Sequence, residues 1–140
     1  MKKHLAAFVL SITSMQAIAS ELLMPIRGVT DGDTIKTVVT LPCPLCEVSI
    51  RINGIDTPES TKRLAMCEKE RLLGIEATEF LRRLVAQHTL MVVTNAEWDK
   101  YGGRILGTVY VNGINLGQAM IDAGLAKPYF GSGPKPNWCL

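Results

Sequence analysis

Between Pro44 and Glu59 the chain carries an alternation that only a half-buried strand accommodates. Val48, Ile50 and Ile52 alternate with Ser49, Arg51 and Asn53, giving one apolar and one wet face. The pattern slips at Gly54, because Ile55 falls where a polar residue is due, and a glycine bulge is predicted there. With the bulge, Arg51 and Asp56 share the solvent-facing side of the sheet. Without it they point to opposite sides. Thr57-Pro58 ends the strand, since proline has no N–H for a ladder. Asp56, Thr57 and Glu59 therefore stand at a strand end and turn, where side chains are expected to face open space.

Similar signals recur along the 140 residues. Leu22 to Val29 reads as a first, irregular strand. Asp31-Gly32-Asp33-Thr34 is a turn feeding a second strand through Ile35, Thr37 and Val39, which Pro42 and Pro44 end. From Glu68 to about Gln87, Leu73, Ala77, Phe80, Leu81 and Leu84 recur at helical spacing. Leu90 to Thr94 and Ile105 to Val111 read as the fourth and fifth strands. Val111-Asn112-Gly113-Ile114 makes a tight turn after them. Asn115 caps a short helix, Leu116 to Ala123, closed by Gly124. Tyr129 to Leu140 is too rich in glycine and proline for another helix. The expected fold is α+β, mainly β: a closed or nearly closed antiparallel barrel of five strands, of the OB type. One long helix follows strand three and a short helix follows strand five.

The start, Met1-Lys2-Lys3-His4, followed by a mostly apolar run from Leu5 and ending in Ala17-Ile18-Ala19, reads as a cleaved signal peptide over residues 1–19. Residues 20–140 then form a single domain, periplasmic or secreted, with no stable membrane insertion. Removing Lys2 and Lys3 leaves 13 basic residues against 13 acidic ones. Bulk electrostatics is therefore a poor means of holding nucleic acid, and any phosphate binding falls to a few placed side chains and a metal. All four cysteines, Cys43, Cys46, Cys67 and Cys139, lie beyond the leader, which favours disulfides in an oxidising compartment. Three connectivities are open. Cys43–Cys46 closing on itself, with Cys67–Cys139 fastening the tail to a helix start, is preferred. A redox or zinc-binding CxxC is the rival for the first pair.

A hairpin turn centred between Pro44 and Leu45 places Asp33 opposite Asp56 on antiparallel strands. Like charges so placed are destabilising unless a cation lies between them. Carboxylate and carbonyl oxygens select a hard cation such as Ca²⁺ or Mg²⁺. Glu59 is placed to activate water and Arg51 to grip phosphate as a planar fork. Together these point to metal-assisted phosphodiester hydrolysis.

Asp31-Gly32-Asp33-Thr34, Arg51 with Ile55-Asp56-Thr57-Pro58-Glu59, Asp99-Lys100-Tyr101-Gly102-Gly103-Arg104, and Gly124-Leu125-Ala126-Lys127 occur in that order. Together they resemble the staphylococcal nuclease family from about Met24 to Tyr129. The resemblance implies a Ca²⁺-dependent nuclease, indifferent to sugar, cleaving DNA and RNA to 3′-phosphate ends and acting as a monomer. It implies one Ca²⁺ on Asp33, Asp56 and the Thr57 carbonyl, Glu59 as general base, and Arg51 and Arg104 as phosphate clamps. Lys100 and Tyr101 would contact the nucleotide, and Tyr129 would stack on a base. The chain departs from the family pattern in an extra Gly103 before Arg104 and in the Cys43–Cys46 insertion. A short tail ending in Trp138-Cys139 stands in place of a last helix. The alternative reading is an inactive domain of this kind that only binds nucleic acid or a protein partner.

Overall fold

The computed structural model describes residues 20–40, 46–100 and 102–140. The expected leader, Cys43 and Tyr101 lie outside the described residues. Among the described residues no helix is long and apolar enough to cross a membrane.

The first strand is interrupted, as its irregular pattern suggests. β1 (Leu22–Pro25) and β2 (Gly28–Asp31) are separated by Ile26 and Arg27. Ile26 N donates to Thr89 O at 2.8 Å, while Arg27 N donates to Lys36 O at 2.8 Å. Across these two residues the chain changes partner, and that change curls the sheet. β3 (Thr34–Val39), β4 (Cys46–Ile52), β6 (Leu90–Trp98) and β7 (Arg104–Val111) complete the order β1-β6-β7-β4-β3-β2. The two ends of that order are consecutive in the chain, so the sheet wraps into a nearly closed barrel of the OB type. It is not wholly antiparallel: β4 runs parallel to β7, with Arg51 beside Leu106. A crossover through the long helix makes that direction possible. Ile35, Ile50, Ile52, Met91, Val93, Val109 and Val111 fill the barrel, each nearly or fully buried.

Three sequence expectations are corrected here. Gly54 is not a bulge. It closes a turn with Asn53 in the left-handed conformation (φ 83°), and Ile55-Asp56 beyond it form a separate short strand, β5. The hairpin register also differs. Val39 pairs with Cys46 and Thr34 with Arg51, so the connection between β3 and β4 spans residues 40–45 and is centred nearer Pro42. Asp33 therefore lies opposite Ile52, whose N–H its carbonyl accepts at 2.8 Å, and not opposite Asp56. β6 runs past Thr94 to Trp98 because a register shift at Asn95 (φ 52°) breaks the alternation without ending the strand.

Helix α1 (Glu68–Val85) is capped by Cys67, and α2 (Leu116–Asp122) by Asn115, whose Oδ1 accepts from Gln118 N at 3.1 Å. β8 (Ile114–Asn115) folds back on β7 through Asn112 and Gly113, both left-handed. β9 (Lys127–Pro128), which the sequence pattern missed, pairs with β5. The buried face of α1 includes Gly74, Ala77, Thr78 and Leu81. Its small residues bring the helix close to the segment after β5. A Cβ on Gly74 would lie 2.5 Å from the Glu59 carbonyl carbon and 2.6 Å from Ser60 N.

The tail is fastened by a disulfide between Cys67 and Cys139, their Cα atoms 6.0 Å apart across a separation of 72 residues. A loop of that length contributes roughly 4 kcal/mol through the unfolded chain. Cys46 is also disulfide-bonded; its expected partner, Cys43, lies outside the described residues.

Gly74→Ala tests the approach of helix to loop. Helix propensity alone favours alanine by about 1 kcal/mol, but the contact with Glu59 and Ser60 is with backbone that must shift. The variant is expected to lose about 1–3 kcal/mol in urea denaturation; a gain in stability would show the approach to be loose.

Candidate active site

Both aspartates are buried. Asp33, in the β2–β3 turn, is 4% exposed; Asp56, in β5, is 2% exposed. The expectation that Asp56 faces open space is thus corrected. Pairing of β5 with β9, and the tail laid over it, cover the carboxylate. Arg51 joins the two neighbourhoods that the strand register leaves apart. Its Nη1 donates to Asp33 Oδ1 at 2.7 Å and its Nη2 to the Ile55 carbonyl, next to Asp56, at 3.4 Å. Thr34 Oγ1 also donates to Asp33 Oδ1, at 2.9 Å. Burial pushes the Asp33 carboxyl up to about 6 against the pull of Arg51, with the neighbouring Asp31 charge adding to the rise.

Asp56 is held differently. Trp138 Nε1 donates to its Oδ2 at 3.1 Å in a buried contact. Its Oδ1 is buried, and the Lys135 ammonium lies 3.1 Å from it, within hydrogen-bonding distance. The same ammonium is 3.5 Å from Glu59 Oε1. Burial pulls the Lys135 ammonium down, but the Asp56 and Glu59 carboxylates outweigh that and leave it above the ordinary lysine value. Asp56, Thr57, Glu59 and Lys135 line a cleft of about 240 Å³ with Leu64, Met66, Glu70 and Pro136.

Glu59, partly exposed at the cleft wall, is positioned through its backbone. Glu70, the third residue of α1, is buried and reaches back over the helix start. Its carboxylate accepts from Met66 N at 2.6 Å and from Glu59 N at 3.4 Å. This resembles a capping box extended by one residue, and it ties the loop carrying Glu59 to a rigid helix.

The other expected site residues are placed less centrally. Arg104 opens β7 on the same outer face as Arg51 in the adjacent strand, with Ser49 beside Arg104 and Arg51 beside Leu106. Its Nε and Nη2 donate to Asp99 Oδ2, the former at 2.8 Å. Lys100 is exposed in the β6–β7 turn. Tyr129 is half-buried, with its N–H on the Gly54 carbonyl and its hydroxyl 3.3 Å from the Gly133 carbonyl. Sequence reasoning missed Lys135, Trp138 and Glu70. Lys135 and Trp138 sit in an irregular tail without periodicity, and the one clue to their position was the pairing of Cys139 with Cys67. Glu70 was hidden as one more charge on a helix that is charged on its outer face.

A hard cation fits this arrangement. The buried Oδ1 of Asp56 already faces a positive charge, the Lys135 ammonium at 3.1 Å, which stands where a cation would. Among the described residues no group of three or more acidic, histidine or cysteine side chains is gathered for a metal. The ligands that the resemblance implies, the Asp33 and Asp56 carboxylates and the Thr57 carbonyl, are too few for the six to eight oxygens Ca²⁺ takes. Water and a substrate phosphate would complete the set.

The family described as "Staphylococcal nuclease homologue" matches residues 49–137. The chain is 35% identical over 130 residues to an Escherichia coli protein named "Uncharacterized endonuclease", covering 92% of this chain and 74% of that one. It is also 36% identical over 80 residues to the "Staphylococcal-like nuclease CAN1" of Arabidopsis thaliana, covering 57% of this chain and 21% of that protein.

The raised Asp33 carboxyl has a consequence for stability without metal. Its folded value lies above the ordinary 3.8, so its contribution is fully present below about pH 4 and is lost as pH rises through about 6. In EGTA, Asp33→Asn should gain on the wild type by about 3 kcal/mol at most between pH 4 and pH 7. Unfolding curves at the two pH values measure this difference, and a constant gap between the proteins would show that Asp33 titrates normally.

Proposed function

The chain belongs to the staphylococcal nuclease family, and from that premise we propose that it is a Ca²⁺-dependent enzyme hydrolysing phosphodiester bonds of DNA and RNA. The family supports a hydrolase acting on nucleic acids. The finer reading rests above all on one observation: buried Asp56, whose Oδ1 faces a lysine ammonium, shares a cleft with the partly exposed Glu59, while the Arg51 fork holds Asp33 and the carbonyl next to Asp56.

Asp33, Asp56 and the Thr57 carbonyl would hold one Ca²⁺ weakly in the absence of substrate, with half-saturation in the range of roughly 0.1–1 mM or above. When bound, the ion supplies Lewis-acid polarisation of a phosphoryl oxygen and neutralises charge. Glu59 takes the proton from a water aligned behind phosphorus, and the oxygen of that water forms the new bond as the 5′ oxygen departs. A base so placed is worth about 10²–10⁴ in rate. Arg51 holds the non-bridging oxygens, on which charge grows in the transition state, and Arg104 does so when its fork turns from Asp99. Each such preorganised donor is worth about 10²–10³. Lys100, Tyr101 and Tyr129 would contact the flanking nucleotide by charge, hydrogen bond and stacking. The products are fragments with 3′-phosphate ends. Residues 1–19 are proposed to direct export and to be removed, leaving a monomer in the periplasm or outside the cell.

Oxidised protein is expected to cut single-stranded DNA and RNA oligonucleotides at millimolar Ca²⁺ and to stop in EGTA, read on a gel. Glu59→Gln should lose at least about tenfold in rate while keeping the wild-type unfolding midpoint. Arg51→Ala should lose at least about tenfold in rate and also some stability, because buried Asp33 loses its partner, so its rate is measured well below its own midpoint. Uncut substrate with the wild type would remove the enzyme reading. Wild-type rates in either variant would remove the residue's assigned role.

A further inference from the structure

The last twelve residues add no strand to the barrel, yet they are held over the candidate site at several points. Tyr129 N donates to Gly54 O at 2.9 Å, beside the turn that leads into β5. Lys127 Nζ donates to Asn137 O at 2.9 Å and lies 4.3 Å from the centre of the Trp138 ring. Cys139 is bonded to Cys67 at the start of α1. Between these fastenings Trp138 is 7% exposed, and its indole N–H points at Asp56 Oδ2.

We propose that Trp138 is a positioning residue for Asp56: its indole N–H engages Oδ2 and thereby presents Oδ1 to the cation. The inference rests on reading Asp56 as a cation ligand. A carboxylate turns easily about its terminal torsion, which has broad and roughly two-fold preferences. In a two-carboxylate site a ligand free to turn loses affinity that further protein ligands cannot restore. A donor fixed behind the ligand removes that freedom, and such outer partners are typically worth about 10–100-fold in metal affinity. Indole suits the task because it is a donor only and carries no charge, so it engages one oxygen without competing electrostatically with a cation on the other. Lys135 is the contrasting case: a cation on the same strap, beside Oδ1 itself. The Cys67–Cys139 bond ties the residue next to Trp138 to the helix whose Glu70 steadies Glu59. Strap and helix thus fix the metal ligand and the base from one anchor.

The test is a Ca²⁺ titration of the oxidised protein followed by ¹⁵N–¹H spectra and, in parallel, by cleavage rate. In the wild type the Trp138 indole N–H should shift together with the Asp56 amide, while the indole of Trp98, exposed on β6, should stay in place. Trp138→Phe keeps a ring against Lys127 and removes the donor. Its half-saturating Ca²⁺, read from the Asp56 amide, should rise at least about tenfold, with the larger effect on Ca²⁺ requirement than on the rate at saturation. An Asp56 amide that never responds to Ca²⁺ in the wild type would remove the cation reading and this inference with it. A responding amide beside an unmoved Trp138 indole would overturn this inference alone. So would a folded Trp138→Phe protein with half-saturation within about twofold of the wild type. If the variant does not fold, the wild-type indole decides.

Discussion

Two carboxylates have been taken out of water at the mouth of a small barrel, and an unpaired buried charge costs several kcal/mol. Much of the architecture around them answers that constraint. Arg51 reaches from β4 to Asp33 and to the backbone beside Asp56, so one guanidinium joins a strand turn to a separate two-stranded element. Asp56 receives the neutral Trp138 indole N–H on one oxygen and the Lys135 ammonium on the other.

The supporting elements are chosen for closeness rather than bulk. Gly74 lets α1 approach the Glu59 segment, and Gly32 does the same beside Ala77 and Thr57, where a Cβ would lie 2.9 Å from each side chain. Glu70 then anchors the loop through its backbone N–H groups. The backbone of the glutamate assigned as base is thus tied to α1, a helix that is in turn bonded to the tail. The Cys67–Cys139 bond closes a loop over a separation of 72 residues and so restricts the unfolded chain strongly.

Much of the barrel was legible because short alternating runs and turn residues state their periodicity directly. The strand through Val48, Ile50 and Ile52, the Asn112-Gly113 turn and the Asn115 cap all follow from local chemistry. The parallel β4–β7 pairing was not legible, since strand direction depends on the crossover rather than on any residue in the strands. The expected pairing of Asp33 with Asp56 does not occur: Asp33 lies opposite Ile52, and Arg51 touches Asp33 and the backbone carbonyl next to Asp56. The strap was illegible in detail because proline, glycine and asparagine specify no period. Arg104 shows the reverse: Asp99 stands in the same short motif, an ion pair between the two is the alternative role the sequence offers for Arg104, and the structure shows that pair.

The central claim is that these side chains enclose one divalent ion and one phosphate. The most direct measurement is a crystal structure of the oxidised protein with Ca²⁺ and a dinucleotide whose scissile phosphate resists hydrolysis. The account predicts a single ion touching Asp33, Asp56 and the Thr57 carbonyl, with the phosphate between Arg51 and Arg104 and Arg104 turned away from Asp99. An ion bound elsewhere, or Lys135 still against Asp56 Oδ1 with the phosphate in another cleft, would contradict it.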